Sequence, residues 1–195
     1  MLFTIIPIAF SLCQSFPTAS SLIVNGTTIT LVEGSYNFSN VSVISGTLKL
    51  NGKVIINTDN FVVYSAGSVN GVGVVPAKTG LGPGQTNSGG AGGGGYGSMG
   101  GRSGGASGTI LASGGPSYDS ATSFNIEKGS GGGKVTSYAG NYGYGGGALF
   151  LTANYINIMG SINVAGVGGH SGSTNQYGDG GGSGGGFCLE QMTLI

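Results

Sequence analysis

Two stretches near the C-terminus repeat one another. Gly146-Gly147-Ala148-Leu149-Phe150-Leu151 is followed, 38 residues on, by Gly184-Gly185-Gly186-Phe187-Cys188-Leu189. The alignment sets Leu149 on Phe187, Leu151 on Leu189 and Ile156 on Leu194. A Gly-rich loop that gives way to an alternating strand, twice over, is the pattern of stacked coils, each covering the apolar side of its neighbour. Such a repeat constrains architecture far more than activity.

Residues 21–75 agree with it. Ser21–Val24, Thr28–Leu31, Val41–Ile44, Thr47–Leu50, Lys53–Ile56 and Phe61–Tyr64 are rich in β-branched residues, and Gly, Asn or Ser separates most of them. No useful stretch has the period of an amphipathic helix. Asn51-Gly52 suits a type I′ hairpin between Thr47–Leu50 and Lys53–Ile56, and equally a tight corner of a β-coil. Farther on, Leu149, Leu151, Ala153, Ile156, Ile158, Ile162 and Val164 are the expected inward positions, with corners at Asn154 and Met159-Gly160.

The intervening region is different. Glycine fills 26 of the 68 positions from 80 to 147, so there is little side chain to bury. Ordering each such residue costs backbone entropy of roughly 1–2 kcal/mol. Three things could offset that cost: tyrosines anchoring the loop on a β-surface, glycine segments close-packed as polyproline II helices, or a partner. Without any of them the segment stays mobile. The expected organisation is a signal peptide at 1–18, cleaved near 13–18, then β-strand coils at 19–79 and a Gly-rich insertion at 80–147. Further coils follow at 148–195, with a Gly-rich loop at 166–186. The strand pattern breaks off at Ile195, as expected of a piece of a longer protein or of an open coil end that stacks on another subunit.

The signal-peptide reading rests on the apolar run Leu2–Phe10, which is too short to span a bilayer, and on small residues before Gln14. The alternative is a buried N-terminal strand. No transmembrane segment is otherwise expected. If Cys13 leaves with the signal, Cys188 is an unpaired cysteine. Six basic and six acidic residues are scattered along the chain, so no basic patch points to nucleic acid. Low charge in Gly-rich loops favours association.

Ser35–Val43, Leu48-Lys49-Leu50-Asn51-Gly52, Gly67–Gly73, Gly129–Gly133, Gly145–Ala153 and Ile162–Gly166 follow one another in an order that resembles the Gly-rich, pectin-lyase-like right-handed parallel β-helix regions of large microbial surface and secreted proteins. The resemblance spans about residues 30–195. It implies an all-β fold, a right-handed parallel β-helix with long Gly-rich insertions, in an extracellular scaffold. It does not imply pectin cleavage. The enzymes of that fold use clustered Asp with Arg or Lys, whereas Asp59, Asp119 and Asp179 are far apart here and Arg102 is the sole arginine.

Other chemistry has weak support. Gly95–Gly100 fits GxGxxG, but in a chain so rich in glycine a match is expected by chance, and no helix pattern follows it. The segment ending Gly133-Lys134-Val135 fails as a phosphate loop, because Lys128 stands where the first Gly belongs and Val135 where Ser or Thr does. His170 is the only histidine and reads as a solvated loop residue. Asp119 and Glu127 could serve as paired acids only if the fold brought them together. No catalytic residue, metal ligand or cofactor is expected. Asn25, Asn37 and Asn40 begin N-glycosylation sequons, relevant in a secreted eukaryotic chain. Tyr96, Tyr138, Tyr142, Tyr144 and Tyr177 are the candidate aromatics, either stacking on a ligand or anchoring the loops. The expected function is a non-enzymatic, adhesin-like scaffold, secreted or on the cell surface. The alternatives are a carbohydrate-binding module using loop tyrosines and, third, a polysaccharide-active enzyme. The expected partners are a second copy or a surface polysaccharide.

Overall fold

The computed structural model describes residues 21–87, 90–104, 110–119, 126–135, 143–170 and 178–191. Those residues contain strands and no helix. The strands are β1 (Leu22–Val24), β2 (Thr27–Asn70), β3 (Thr86–Asn87), β4 (Gly90–Ala91), β5 (Ser103–Gly104), β6 (Ile110–Ala112), β7 (Ala148–Ile158), β8 (Ser161–Asn163) and β9 (Phe187–Gln191). The main sheet runs β1-β2-β7-β9, with β8 also on β2, and every pairing in it is parallel. Two small antiparallel pairs, β3–β4 and β5–β6, stand apart from it.

The internal repeat is the register of this sheet. Leu149 pairs with Phe187 and Leu151 with Leu189, as the alignment of the two stretches requires. The third correspondence, Ile156 with Leu194, lies outside the described residues. Residues equivalent in the repeat are neighbours in space and share a face of the sheet; that face is buried in β7, whereas on β9 Phe187 and Leu189 are exposed. Leu149, Leu151 and Ala153 are fully buried, and Ile156, Ile158, Ile162 and Val164 pack partly buried against them.

Strand β2 is 44 residues long. Held straight it would span about 145 Å, yet its side chains meet at intervals of about twenty residues. Asn57 Nδ2 donates to Asn37 Oδ1 at 3.0 Å, Asn60 Nδ2 to Asn40 Oδ1 at 2.7 Å, and the Thr47 and Ser68 hydroxyls lie 3.0 Å apart. The chain therefore bends round and lies beside itself. Gly46 and Gly52 make this possible, with φ of +88° and +116°. A Cβ on Gly46 would sit 2.2 Å from the Thr27 carbonyl oxygen, and one on Gly52 2.7 Å from Glu33 Oε2. Asn51-Gly52 is a corner and not a hairpin. In a hairpin Leu50 would face Lys53, and Leu48 would face Ile55, on one side of the sheet. Instead Leu48, Leu50, Val54 and Ile56 are buried, while Lys53 and Ile55 are not.

A second layer is built almost without side chains. Successive amides of Gly92–Gly95 donate to the carbonyls of Gln85, Gly101, Gly181 and Gly82, returning to the first neighbour after three residues. Gly180, Ser183 and Gly186 donate to Gly133, Ser130 and Glu127, and Gly182 and Gly185 to Val167 and Val164. Three residues per turn is the period of polyproline II, so each segment bonds several neighbours instead of one ladder partner. This layer unites glycines from both Gly-rich regions. Interior packing at this closeness admits no Cβ: on Gly92, Gly132 and Gly180 it would lie 2.1, 2.1 and 2.0 Å from a neighbouring carbonyl oxygen.

Candidate functional site

The two layers join where the chain leaves the sheet and returns to it. Gly147 N–H donates to the Gly71 carbonyl at 2.7 Å, and Val75 and Gly145 exchange both backbone bonds. Charged side chains gather at this seam. Lys53 Nζ meets Glu127 Oε1 at 2.8 Å, and Lys128 Nζ donates to Glu33 Oε2. Each pair ties the sheet to the start of the segment at 126–133. The hydrogen bond from Lys128 holds the Glu33 carboxyl below its ordinary range, against the opposing effect of desolvation. Beside it is a cleft of about 240 Å³, lined by Glu33, Asn51, Val75, Thr79, Gly80 and Lys128. That is smaller than the ~300–1,000 Å³ of sites that enclose drug-sized ligands. Its two charges already neutralise one another.

A second polar group closes the same end of the glycine layer. The Tyr96 and Tyr118 rings meet edge to face, with centroids 5.4 Å apart. Tyr96 Oη accepts from the Glu127 amide and hydrogen-bonds the Asp119 carboxylate. Tyr118 Oη donates to the Lys128 carbonyl at 2.7 Å and lies 3.0 Å from Ser130 Oγ. Ser130, fully buried, accepts from the Gly82 amide at 2.8 Å, and its own amide donates to Ser183 Oγ at 2.8 Å. Burial raises the pKa of both tyrosines, and Asp119 raises that of Tyr96 further. These hydroxyls remain neutral and act as fasteners.

Of the tyrosines singled out in the sequence, Tyr96 is thus an anchor. Tyr144 is half-buried and its carbonyl accepts from Val167. Tyr138, Tyr142 and Tyr177 lie outside the described residues. Asp119 and Glu127 do come to one place, on either side of Tyr96, but Glu127 directs its carboxylate to Lys53. The Asp179 carboxylate accepts from the Val135 amide at 2.7 Å, and the Asp179 amide donates to the His170 carbonyl at 2.9 Å. Cys188 is half-buried in β9, opposite Phe150. Among the described residues no group of three or more His, Cys, Asp or Glu could hold a metal ion, and no helix is long and apolar enough to cross a membrane. Sequence reasoning missed Tyr118, Ser130, Ser183 and both ion pairs.

A third polar cluster lies on the outside of the sheet. The chain passes one corner three times, at 37–40, 57–60 and 152–155. The Asn37–Asn57 and Asn40–Asn60 bonds link the first two passes, and the register carries Asn57 to Thr152 and Asn60 to Tyr155. Asn154 Nδ2 donates to Asp59 Oδ1 at 2.9 Å, and Asn40 Nδ2 to Ser21 Oγ at 3.4 Å. Thr58, Phe61 and Ala153 beneath are fully buried, so the corner stands on a packed base. Of the sequon residues, Asn25 and Asn37 are exposed, whereas Asn40 is half-buried with its Nδ2 turned toward Ser21 and Ser39. No protein-family model, curated protein or solved structure matches this chain.

Proposed function

We propose that the protein is a non-enzymatic scaffold, secreted or displayed on a cell surface and adhesin-like, whose sheet winds as a right-handed parallel β-helix. Supporting the winding are the all-parallel register and the contacts at intervals of about twenty residues within β2. Parallel crossovers are right-handed in nearly all proteins. The observation that carries the functional reading is how the reactive side chains are used. The carboxylates of Glu33 and Glu127 and the amines of Lys53 and Lys128 fasten the sheet to the glycine layer, and the hydroxyls of Tyr96, Tyr118, Ser130 and Ser183 fasten one segment of that layer to another. Chemistry needs groups aimed at a substrate, whereas a scaffold needs groups aimed at each other. Fractionation of producing cells tests this. The chain should be found outside the cell or be removed from intact cells by added protease, and the purified protein should leave polysaccharides uncleaved. Intracellular product, or release of new sugar ends, overturns the reading.

A further inference from the structure

We infer that the polar corner formed by Asn40, Asn60 and Tyr155 is a binding site for neutral polysaccharide. The inference rests on the scaffold reading, because it uses a rigid face and no reaction. Tyr155 is 50% exposed and is the register partner of Asn60, whose carboxamide bonds that of Asn40. Register partners in a parallel sheet share a face, so one aromatic ring and two carboxamides stand side by side in steps of about 4.8 Å. An extended sugar chain crossing the strands meets a ring to stack on, then amides that bond its hydroxyls.

The corner is prepared for this. A carboxamide has two N–H donors and two acceptor positions. Asn60 uses one donor on Asn40, and Asn37 uses its oxygen on Asn57. Asn40 spends its Nδ2 on Ser21 and Ser39, so the open capacity of the pair is that of Asn60, which is exposed. Because the ladder already fixes these side chains, a ligand loses little by ordering them. Tyr96 lacks this freedom, since its ring packs on Tyr118 and its hydroxyl is engaged. The charge of the corner selects the ligand class. Among the described residues its ionic groups are Asp59, held by Asn154, and Glu190, opposite Thr152, so uronate polymers meet like charge there.

The test is affinity electrophoresis of the full chain, produced without N-glycosylation so that Asn37 and Asn40 stay bare. Gels contain mixed-linkage β-glucan, galactomannan or polygalacturonate. Retardation by at least one neutral polymer is expected. It should weaken roughly three- to tenfold in Tyr155→Ala, the scale of one lost aromatic contact, and persist in Tyr155→Phe. Asn60→Ala should weaken it without altering thermal unfolding. Tyr155→Gln serves as the second variant if Tyr155→Ala folds poorly. The site is refuted by no retardation in either neutral gel, by retardation that survives loss of the ring, or by stronger retardation in polygalacturonate. A surface-located protein that no neutral polymer retards refutes the site and leaves the scaffold reading standing; an intracellular protein refutes the scaffold reading.

Discussion

In the sheet, Leu48, Leu50, Ile56, Phe61 and Leu151 are fully buried, and their neighbours are other side chains. In the glycine layer, Gly92, Gly95, Gly132 and Gly145 are equally buried, and their neighbours are carbonyl oxygens and amides. The first core is held by removing apolar area from water and leaves its backbone to the ladder. The second has almost no apolar area. It is held by hydrogen bonds that radiate from each segment and by backbones packed at a distance that any Cβ would prevent. The two cores fail differently. A side-chain core tolerates a change of shape if volume is kept, whereas a backbone core has no volume to exchange.

The largest effect should come from the sheet. Phe61 is its largest fully buried side chain, and Phe61→Ala should cost about 3–5 kcal/mol in denaturant unfolding. Both layers should then unfold in a single shifted transition, because backbone bonds such as Leu149 to Gly186 and Gly147 to Gly71 join them. Amide protection at Gly93 and Gly132 that outlasts loss of the sheet would break the comparison, making the layers independent units.

Next is the smallest possible addition to the other core. A Cβ on Gly132 would stand 2.1 Å from the Gly180 oxygen, whereas one on Gly101 meets nothing within 4 Å. Gly132→Ala should therefore destabilise by about 1–3 kcal/mol, as overpacking does, and Gly101→Ala by no more than about 0.5 kcal/mol. Equal effects in thermal melts of the two variants would show that the glycine layer is loose, and the contrast between the cores would fall.

The same contrast explains what could be read from the sequence. Alternating aliphatics carry their own register, so Leu149, Leu151 and their partners in β9 were aligned correctly from residue identities alone. A glycine segment carries none: shifting Gly92–Gly95 by one residue changes no side chain. Its neighbours are set by the rare residues at its edges, such as Ser130, Ser183 and Asp179, whose side chains bond the backbone of a different segment. Tyr118 is harder to single out, because Ser117 and Asp119 flank it, whereas Tyr96, Tyr142, Tyr144 and Tyr177 each have a glycine beside them. Lys53 and Glu127 are 74 residues apart, and Lys128 and Glu33 are 95, so no local pattern joins them. Asn37 and Asn40 are legible in the sequence as sequon residues, but Asn60 is not, and neither is the ladder, which exists only once β2 has bent round.

High pH tests the fastening of the glycine layer. Tyr96 and Tyr118 have folded pKa values raised above the ordinary 10.0. Their stabilising contribution is full below that pH and is lost as pH rises above it, because the unfolded chain ionises first. Stability should fall above about pH 10, with two tyrosines ionising late by tyrosinate absorbance. The fall should shrink in Tyr96→Phe. Ordinary titration of both rings would place them in water and remove the fasteners.

The smallest effect should be that of the charges at the seam. The side chains of the Lys53–Glu127 pair are 21% and 26% exposed, and those of Lys128 and Glu33 are 33% and 55% exposed. Water and salt screen such pairs, so Lys53→Met should cost less than about 1 kcal/mol. Glu33 adds an acid dependence of definite sign. Its carboxyl is held below the ordinary value of 4.5, so its contribution is present above that pH and is lost as the pH drops below it. Lys128→Met should shrink this dependence, leaving the neutral-pH melt nearly unchanged, and what is left comes from the backbone hydrogen bond and the charge of Lys53. The reason is again the kind of contact involved. The layers meet through backbone bonds that neither salt nor acid reaches, and the charges choose how the seam closes more than they hold it shut. A loss well above 1 kcal/mol in Lys53→Met, or a melt at neutral pH that falls steeply with salt, would reverse that order and make the seam electrostatic.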